Sequence, residues 1–377
     1  TPSRMVKVDR HILIHLALLA GQVSFGGGAI VAKLALRGKN PLVFAWLREF
    51  IAGLIMCLHS GCRLGMAWQD RKLILMGGFS MFVNHFCFIV GLSLADPISG
   101  TAWQPSQPIL TCTLAVLLGL EKPSLNKSVG ILISVMGALV MVLGGSGPTP
   151  STEDGVGTAH FVQLHHLFFL INCFSASCYV LITKELLKRH GPEVVTGWCY
   201  LVGSAFMLFS TVAARSSEEW FLPTLCVADI GSTRFTECVT DFWALPPLWA
   251  IVYWIVFGSL LGYWLIAWAN QYAQASIVSA YTVAQPMASC LISMALIVLL
   301  GAKWAWRHGI RPPGVQDLGI VFIVLGLGIL TQEPSGQGKL DDADGKLGPV
   351  ELAAVVAPGE FKLPKGRIGP QLFVNID

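Results

Sequence analysis

Charged side chains are scarce in this sequence. Asp, Glu, Lys and Arg together make up 12% of the 377 residues, whereas 54% of the residues are hydrophobic. Soluble domains carry about 25% charged residues, so this chain has too few polar side chains to cover a water-soluble globule of its size. The 25 Lys and Arg residues are scattered without a long basic block, which argues against a nucleic-acid partner. The composition therefore predicts a chain that lies in a lipid bilayer.

The motifs of common catalytic and metal sites are also missing. The sequence contains no GxSxG, no HExxH and no CxxC pair, and no Gly-Lys-Ser/Thr follows its Gly26–Gly28 run. Nucleophilic hydrolysis, zinc chemistry and phosphate binding by a P-loop each depend on one of these patterns. We therefore expect no catalytic residues, no metal and no cofactor, and we expect the glycine run to serve helix packing.

Long apolar runs dominate what the sequence does contain. About 20 apolar residues are needed to cross a ~30 Å hydrocarbon core as a helix, and only a helix satisfies its own backbone hydrogen bonds in lipid. The sequence therefore predicts an all-α membrane protein with ten transmembrane helices. Their expected positions are 12–32, 41–60, 73–93, 98–118, 127–145, 162–183, 194–214, 247–268, 276–301 and 315–332.

Hydrophilic segments divide the predicted helices into two sets of five. Lys and Arg are more numerous in the short loops on the side of the amino terminus, which predicts that both termini are cytosolic. Three basic residues, Lys303, Arg307 and Arg311, oppose this orientation, because it places them outside the cytosol. Cys226 and Cys238 lie in the same loop, the longest one. The sequence does not decide whether they form a disulfide. The expected organisation is a cytosolic segment 1–11, a first repeat 12–145, a linker 146–160, a second repeat 161–332 with the long loop 215–246, and a disordered cytosolic tail 333–377.

Three segments of the first half have counterparts in the second half, in the same order. The matched pairs are 32–46 with 183–197, 99–112 with 278–290, and 129–137 with 318–326. Both members of the middle pair contain Gln-Pro with a cysteine four residues after the proline. Because five helices is an odd number, the second copy enters the membrane from the opposite side. Inverted repeats of this kind build carriers whose solute site lies between the halves.

Four stretches carry a resemblance to the EamA-type carriers of the drug/metabolite transporter superfamily, nearest to the plant nodulin-like branch. They are WLREFIAGLIM (46–56), GLEK (119–122), GILISVMGALVMVLG (130–144) and ASIVSAYTVAQPMASCLIS (275–293). Arg48 and Glu121 match the family pattern, whereas Lys303 stands where a second Glu is expected, and 302–314 is longer than its counterpart. The resemblance implies a ten-helix transporter of small metabolites in which two inverted five-helix repeats face each other.

The two Gln-Pro motifs are the first pointer to a solute site. Proline removes a backbone donor and frees a carbonyl one turn earlier, and paired helix breaks in two inverted halves mark the binding site of many carriers. The alternative is that these prolines only kink the helices for packing. The predicted substrate-binding residues near the motifs are Trp103, Gln104, Gln107, Tyr281, Thr282 and Gln285.

Polar residues inside the other predicted helices complete the candidate site. Arg48 would cost about 2.5 kcal/mol or more if it faced lipid, so we expect it to face the interior, where it can bind a carboxylate or phosphate. Pairing with Glu49 or reaching to the interface is the alternative. Asn84, His85 and Trp268 are further candidates, and His85 is a candidate for a coupling proton. Hydrogen bonding between helices is the competing explanation for these polar groups.

These expectations combine into one functional prediction with two alternatives. We expect a secondary transporter of small polar metabolites, such as an amino acid or a purine, that works by alternating access. A nucleotide-sugar or phosphate-ester antiporter is the first alternative, and a membrane receptor or scaffold without transport is the second. The expected partners are a small-molecule solute and the lipid bilayer. The sequence does not decide whether the chain forms a homodimer. The plasma membrane and an endomembrane are equally compatible with the sequence.

Overall fold

The structure is a computed structural model that describes most of the first 331 residues. The chain divides into two units, 1–333 and 334–377; all described residues belong to the first, and Cys226 and Cys238 lie outside them. The domain boundaries predicted at 145, 160 and 332 stay predictions. The described residues are 10–36, 39–61, 67–94, 97–122, 124–145, 158–216, 243, 245–308, 310, 312 and 314–331.

Every regular element among the described residues is a helix. The first half contains α1 (Arg10–Ala35), α2 (Pro41–His59), α3 (Trp68–Leu94), α4 (Pro97–Ala102), α5 (Ser106–Leu117) and α6 (Leu125–Gly145). The second half contains α7 (Thr158–Leu187), α8 (Pro192–Ser216), α9 (Leu248–Tyr253), α10 (Trp264–Tyr272), α11 (Ala275–Ala280), α12 (Ala284–Leu300), α13 (Ala302–Arg307) and α14 (Gly319–Thr331). A π-helix, Trp254–Tyr263, joins α9 to α10, and 3₁₀ turns occupy Tyr281–Val283 and Val315–Leu318.

These helices build the ten predicted spans, and several spans consist of more than one piece. Seven continuous helical stretches of the described chain are long and apolar enough to cross a membrane, and shorter apolar helices lie at Ser106–Leu117 and Leu125–Gly137. The predicted fold class, an all-α membrane protein with ten helices in two inverted sets of five, is confirmed. The fourth predicted helix is broken between α4 and α5, and the tenth begins as a 3₁₀ turn. The π-helix in the eighth span was not predicted, because no periodic sequence signal accompanies it.

The starts of α2 and α8 follow from matching local sequence. Pro41 and Pro192 each occupy the first helical position, where the missing N–H costs no hydrogen bond. Asn40 caps α2, since its side chain accepts a 2.9 Å hydrogen bond from the backbone N–H of Leu42. The first sequence match between the halves therefore reflects the same structural event, the start of the second helix in each repeat.

The packing of the helices follows the expected two-fold relation between the halves. The second helices of the two repeats pack on each other, as α2 on α8, and so do the fifth, as α6 on α14. The contact of α1 with α12 is mirrored by the contact of α7 with α5. Glycines allow the close approaches. A Cβ at Gly53 would lie 3.0 Å from Cβ of Tyr200 on α8, and one at Gly326 would meet the carbonyl of Gly130 on α6.

Two matched lysines make the same contact in each half. Lys33 at the end of α1 donates a 3.4 Å hydrogen bond to the carbonyl of Leu92 near the end of α3. Lys184 at the end of α7 donates to the carbonyls of Asn270, at 3.2 Å, and of Ala273, at the end of α10. Cations at helix carboxyl ends pair with carbonyls that lack intrahelical donors. The inverted repeat thus extends from sequence to side-chain contacts.

The distribution of polarity is that of a protein whose solvent is lipid. Large apolar side chains such as Leu58, Phe209 and Val298 are exposed on the outside of the bundle. Gln22 and Glu49 are instead buried in its interior. Polar groups in a membrane are costly at the lipid face, so this arrangement leaves the interior as the place for a polar site.

Candidate functional site

A cavity of about 760 Å³, a volume that includes solvent at its mouth, lies between the two halves of the described chain. Carboxamide side chains from both halves line it, together with aromatic rings and two ionisable side chains. The carboxamides are Gln22, Asn84, Gln104, Gln107, Asn172 and Gln285. The aromatic residues are Phe25, Phe88, Tyr179, Trp254 and Tyr263, and the ionisable pair is Arg48 and His85.

Most of the side chains that the sequence predicted for the site meet at this cavity. Their role in binding a solute stays a prediction. The cavity lining brings together Arg48, Asn84, His85, Gln104, Gln107, Thr282 and Gln285.

Trp103, Trp268 and Tyr281 are described by the structure but lie outside this lining. The carbonyl of Trp103 accepts a hydrogen bond from Sγ of Cys173, and the Trp268 ring packs on the edge of Tyr272. The Tyr281 hydroxyl bonds the ring of His15. One residue along a helix turns a side chain by about 100°, so the neighbours of Gln104 and Thr282 point away from the cavity that these two residues line.

Several lining residues were not predicted. Gln22 and Asn172 are polar residues in the first and sixth spans, and a complete survey of intramembrane polar groups would have found both. Phe25, Trp254 and Tyr263 carry no such signal, because aromatic residues are frequent on every face of the predicted spans. Their assignment to the cavity depends on how the helices pack.

The carboxamides of the cavity are bonded to one another in pairs. Nε2 of Gln285 donates to Oε1 of Gln22 at 2.6 Å, which joins α12 to α1. Nε2 of Gln104 donates to Oδ1 of Asn172 at 2.9 Å. Asn84 and Asn172 exchange two bonds, each donating from Nδ2 to the backbone carbonyl of the other, at 3.2 and 2.9 Å. The lining is therefore polar and ordered, and these bonds also hold helices of opposite halves together.

Arg48 is the strongest pointer to a ligand. Its side chain is only 2% exposed, and its guanidinium carbon lies 4.4 Å from the centre of the Trp254 ring. Nε and Nη1 are buried and find no hydrogen-bond partner within the described part of the chain. A guanidinium has five N–H donors, and leaving buried donors unsatisfied costs free energy. A bound anion would satisfy these donors.

Trp254 holds the guanidinium in place. Nε1 of its indole donates a 3.1 Å hydrogen bond to the carbonyl of Gly28 on α1. A Cβ at Gly28 would lie 2.7 Å from Cζ2 of the same ring, so only glycine lets the indole approach so closely. The Gly26–Gly28 run therefore does serve packing, and it also supports the platform on which Arg48 rests.

Glu49 and His85 form a buried acid–base pair beside Arg48. Nδ1 of His85 lies 2.8 Å from Oε1 of Glu49, and Nε2 of His85 lies 2.7 Å from the Tyr263 hydroxyl. Nη2 of Arg48 is 3.8 Å from Oε1 of Glu49, which is an ion pair but longer than a hydrogen bond. His85 and Tyr263 line the cavity, whereas Glu49 lies behind them.

The charge at the cavity comes from one half only. Arg48 and Glu49 lie seven and eight residues after Pro41, and the equivalent positions after Pro192 are Cys199 and Tyr200. The two halves thus share the arrangement of their helices but differ in the charged side chains that they place at the cavity. Metal binding has no support among the described residues, since no three His, Cys, Asp or Glu side chains cluster there.

Comparisons with known proteins agree with this architecture. The sequence profile of the EamA-like transporter family matches residues 12–143. The chain is 24% identical over 249 residues to Protein WALLS ARE THIN 1 of Arabidopsis thaliana, a match that covers 56% of this chain and 63% of that protein. It is 25% identical over 243 residues to a WAT1-related protein of the same plant, covering 57% and 66%. The matched part spans less than two thirds of either relative.

A solved crystal structure shares the fold. It superposes with a TM-score of 0.57 at 18% sequence identity, and the match covers 86% of this chain and 97% of that one. Because the identity is low, this likeness concerns the arrangement of helices and not the solute.

Proposed function

We propose that this chain, whose residues 12–143 match the EamA-like transporter family and which is similar to the WAT1-related proteins of plants, moves small polar metabolites bearing a carboxylate. Transport proceeds by alternating access of the cavity between the two halves. The single observation that carries the proposal is Arg48, which lines that cavity and whose buried Nε and Nη1 have no hydrogen-bond partner in the described residues. The family profile supports a transporter, and the solute class is our inference.

The donors of Arg48 suit a carboxylate. A guanidinium and a carboxylate form two parallel hydrogen bonds, which give both energy and orientation. The Trp254 ring already covers one face of the guanidinium, so an anion would approach along its edge, where the donors lie. A carboxylate at this edge would satisfy groups that otherwise remain buried without partners.

The rest of the lining suits a small polar body. Gln104, Gln107 and Gln285 offer both donors and acceptors at the cavity wall, while Phe25 and Tyr263 offer flat apolar surfaces. A solute site of this kind combines apolar contact area with a few placed polar groups. L-amino acids and related carboxylates fit this combination.

Phosphate esters and nucleotide sugars fit less well. A dianionic phosphate calls for more than one cation, and the side chains that line the cavity include one Arg and no Lys within the described residues. The single cation therefore favours a monocarboxylate group over a phosphate.

Purified full-length protein in proteoliposomes tests the proposal by counterflow. Vesicles loaded with one unlabelled solute receive the same solute in radiolabelled form outside, across a panel of L-alanine, L-phenylalanine, L-aspartate, adenine and glucose 6-phosphate. We expect carboxylates to exchange. Arg48→Ala should raise the half-saturation concentration at least about tenfold, because hydrogen bonds to charged groups contribute about 1.5–3 kcal/mol.

Arg215→Gln is the matched control, since Arg215 is an exposed residue near the end of α8. It should exchange like the wild type. Equal exchange by Arg48→Ala and the wild type would show that Arg48 does not bind the solute. Exchange of glucose 6-phosphate alone would favour the antiporter alternative, and no exchange of any solute would favour the receptor or scaffold.

A further inference from the structure

Glu49 is a buried acid that the carboxylate site does not use. Its side chain is 0% exposed, and its Oε1 accepts the hydrogen bond from Nδ1 of His85. Oε2 has no hydrogen-bond partner in the described part of the chain, and it faces α8, where a Cβ at Gly203 would lie 3.5 Å away. A buried carboxylate is stable only with a compensating positive charge. Arg48 supplies that charge at 3.8 Å.

The elements around Glu49 place a defined set of ionisable groups against it. Arg48 precedes it on α2, His85 faces it from α3, Tyr200 lies on α8, and Tyr263 lies on the π-helix. The His85 ring centre is 5.7 Å from that of Tyr200 and 5.3 Å from that of Tyr263. Arg48 is therefore the one permanent cation among the described groups that face this acid.

This arrangement couples Arg48 to Glu49 through charge balance. With the cavity empty, Arg48 and Glu49 neutralise each other. When the carboxylate of a net-anionic solute binds Arg48, the buried site carries one uncompensated negative charge unless a proton joins it. Uncompensated charge in the membrane interior is strongly unfavourable.

We propose that the Glu49–His85 pair binds one proton when a net-anionic solute occupies Arg48, so that the carrier moves the anion and the proton together. This inference rests on the proposed function and names the coupling ion for that same cavity. The loaded and empty sites then have the same net charge, so neither state holds an uncompensated charge inside the membrane.

The geometry contains a complete route for the proton. In the empty site we assign the proton of His85 to Nδ1, 2.8 Å from Oε1 of Glu49, because an ionised carboxylate can only accept. Nε2 then accepts from the Tyr263 hydroxyl, 2.7 Å away. A hydronium ion in the cavity gives its proton to Nε2 and becomes water. The N–H bond at Nδ1 then breaks, and the proton forms an O–H bond at Oε1 of Glu49.

Tyr263 accommodates both proton positions. Once Nε2 of His85 carries a proton, it donates to the Tyr263 oxygen. The Tyr263 hydroxyl then turns its own proton to Oδ1 of Asn84, which lies 3.3 Å away. Both ring nitrogens of His85, Oε1 of Glu49 and the Tyr263 hydroxyl keep a partner in each state. Reversal of the same steps releases the proton to water on the other side of the membrane.

Infrared difference spectroscopy tests the proton site without any solute. Spectra of the purified full-length wild type in acid and in alkaline buffer should differ by the stretching band of a buried protonated carboxyl, which absorbs at a higher frequency than the hydrogen-bonded carboxyls of the exposed acids. The band should persist in Glu185→Gln, a control acid near the end of α7 whose side chain is partly exposed, and disappear in Glu49→Gln. The same titrating band in Glu49→Gln, or no such band in the wild type, would overturn the assignment.

Proteoliposomes test the coupling. An inward proton gradient of one pH unit should raise the accumulation of L-aspartate about tenfold in the wild type and in Glu185→Gln, the limit for one proton per anion. The ratio of accumulation with and without the gradient should fall to about one in Glu49→Gln. L-Alanine should respond less, because its ammonium group brings its own positive charge.

Tyr263→Phe keeps the ring and removes only the hydroxyl, so this variant tests the proton coupling if Glu49→Gln does not fold. It should lower the response to the gradient more than it lowers exchange at equal pH. Exchange of carboxylates by the wild type without any response to the gradient would overturn the coupling and leave the proposed function intact. No exchange of any carboxylate would remove both.

Discussion

The Thr282 hydroxyl is shared between two backbone carbonyls: that of Ser279, 2.8 Å away and one turn earlier, and that of Gln104, 3.0 Å away and 178 positions earlier in the chain. Thr282 and Gln104 occupy equivalent places, each four residues before the proline of a Gln-Pro motif. A proline lacks the N–H that would bond the carbonyl four residues back. Because Pro108 cannot supply that donor, the Gln104 carbonyl accepts a 2.9 Å bond from the backbone N–H of Gln107 instead. Its remaining lone pair faces its own counterpart from the other half, the Thr282 hydroxyl.

A second pair of residues repeats this relationship. His85 and Tyr263 are also 178 positions apart, and Nε2 of His85 lies 2.7 Å from the Tyr263 hydroxyl. Residues that contact their own equivalents lie close to the axis that relates the halves. Both pairs line the cavity, so the candidate site lies on this axis. Two halves with the same frame support two states of similar energy, one open to each side of the membrane.

The bond between Thr282 and Gln104 predicts the effect of Thr282→Val, which removes one hydroxyl and conserves the shape. The free energy of unfolding should fall by about 0.5–1.5 kcal/mol, the net contribution of one hydrogen bond, and exchange should slow because the seam on the axis loosens. Thermal unfolding in detergent and counterflow measure the two effects.

Thr211→Val is the control for that substitution. Thr211 is buried on α8, and its hydroxyl donates to the Met207 carbonyl within the same helix. Its loss should leave exchange unchanged. If both variants slowed exchange equally, the effect would not belong to the seam.

The stacking of Arg48 on Trp254 predicts that Trp254→Phe weakens solute binding. Phenylalanine keeps an aromatic face but loses the bond from Nε1 to the Gly28 carbonyl and offers a weaker cation–π contact, an interaction of about 0.5–2 kcal/mol. The half-saturation concentration for a carboxylate should rise several-fold, with a smaller change in maximal rate.

Trp249→Phe is the matched control, because Trp249 lies one to two turns earlier in the same span and is 53% exposed on its outside. It should bind like the wild type. A Trp254→Phe protein with unchanged affinity would show that the ring does not position the guanidinium.

The close contact of α1 with α12 predicts that Gly26→Ala is damaging. A Cβ there would lie 2.7 Å from Cβ of Ala288 and from the carbonyl oxygen of Gln285. Neither a backbone atom nor a Cβ can move without shifting its helix, and such overpacking costs about 1–3 kcal/mol. The same shift should part Gln22 from Gln285 at the cavity wall, so exchange should fall along with the unfolding temperature.

Gly328→Ala is the comparison for this change, since an added Cβ there meets nothing within 4 Å. Its unfolding temperature should match or exceed that of the wild type, because alanine favours a helix more than glycine does. Equal stability of the Gly26→Ala and Gly328→Ala proteins would contradict the close packing of α1 on α12.

The positions of the spans were predictable because each depends on local sequence. Apolar runs set the helix lengths. The second span begins at Pro41 as predicted, and the seventh begins at Pro192, two residues before the predicted start at 194. The fourth and ninth spans were expected to break near their Gln-Pro motifs, and they do. The π-helix from Trp254 to Tyr263 was not foreseeable, because the backbone there adapts to neighbours on α1 that are distant in sequence.

The candidate site was predictable only in part, for a physical reason that Gln104 and Trp103 illustrate. Adjacent residues near a helix break are equally good candidates by sequence, but they point about 100° apart. Only the packed structure shows that Gln104 faces the cavity while Trp103 does not. Gln22 and Asn172 are polar residues inside spans and could have been proposed from the sequence, but their pairing with Gln285 and Gln104 depends on how the helices pack.

The sequence by itself determined the membrane setting, the ten spans, the repeat and the presence of Arg48 inside a span, because composition and local spacing control all four. Tertiary structure decided which side chains meet. The distance between Glu49 and His85, the stacking of Arg48 on Trp254 and the meeting of Thr282 with Gln104 arise from the rotation and depth of helices against one another. No local sequence pattern encodes these quantities, since they emerge only when both halves pack around one axis.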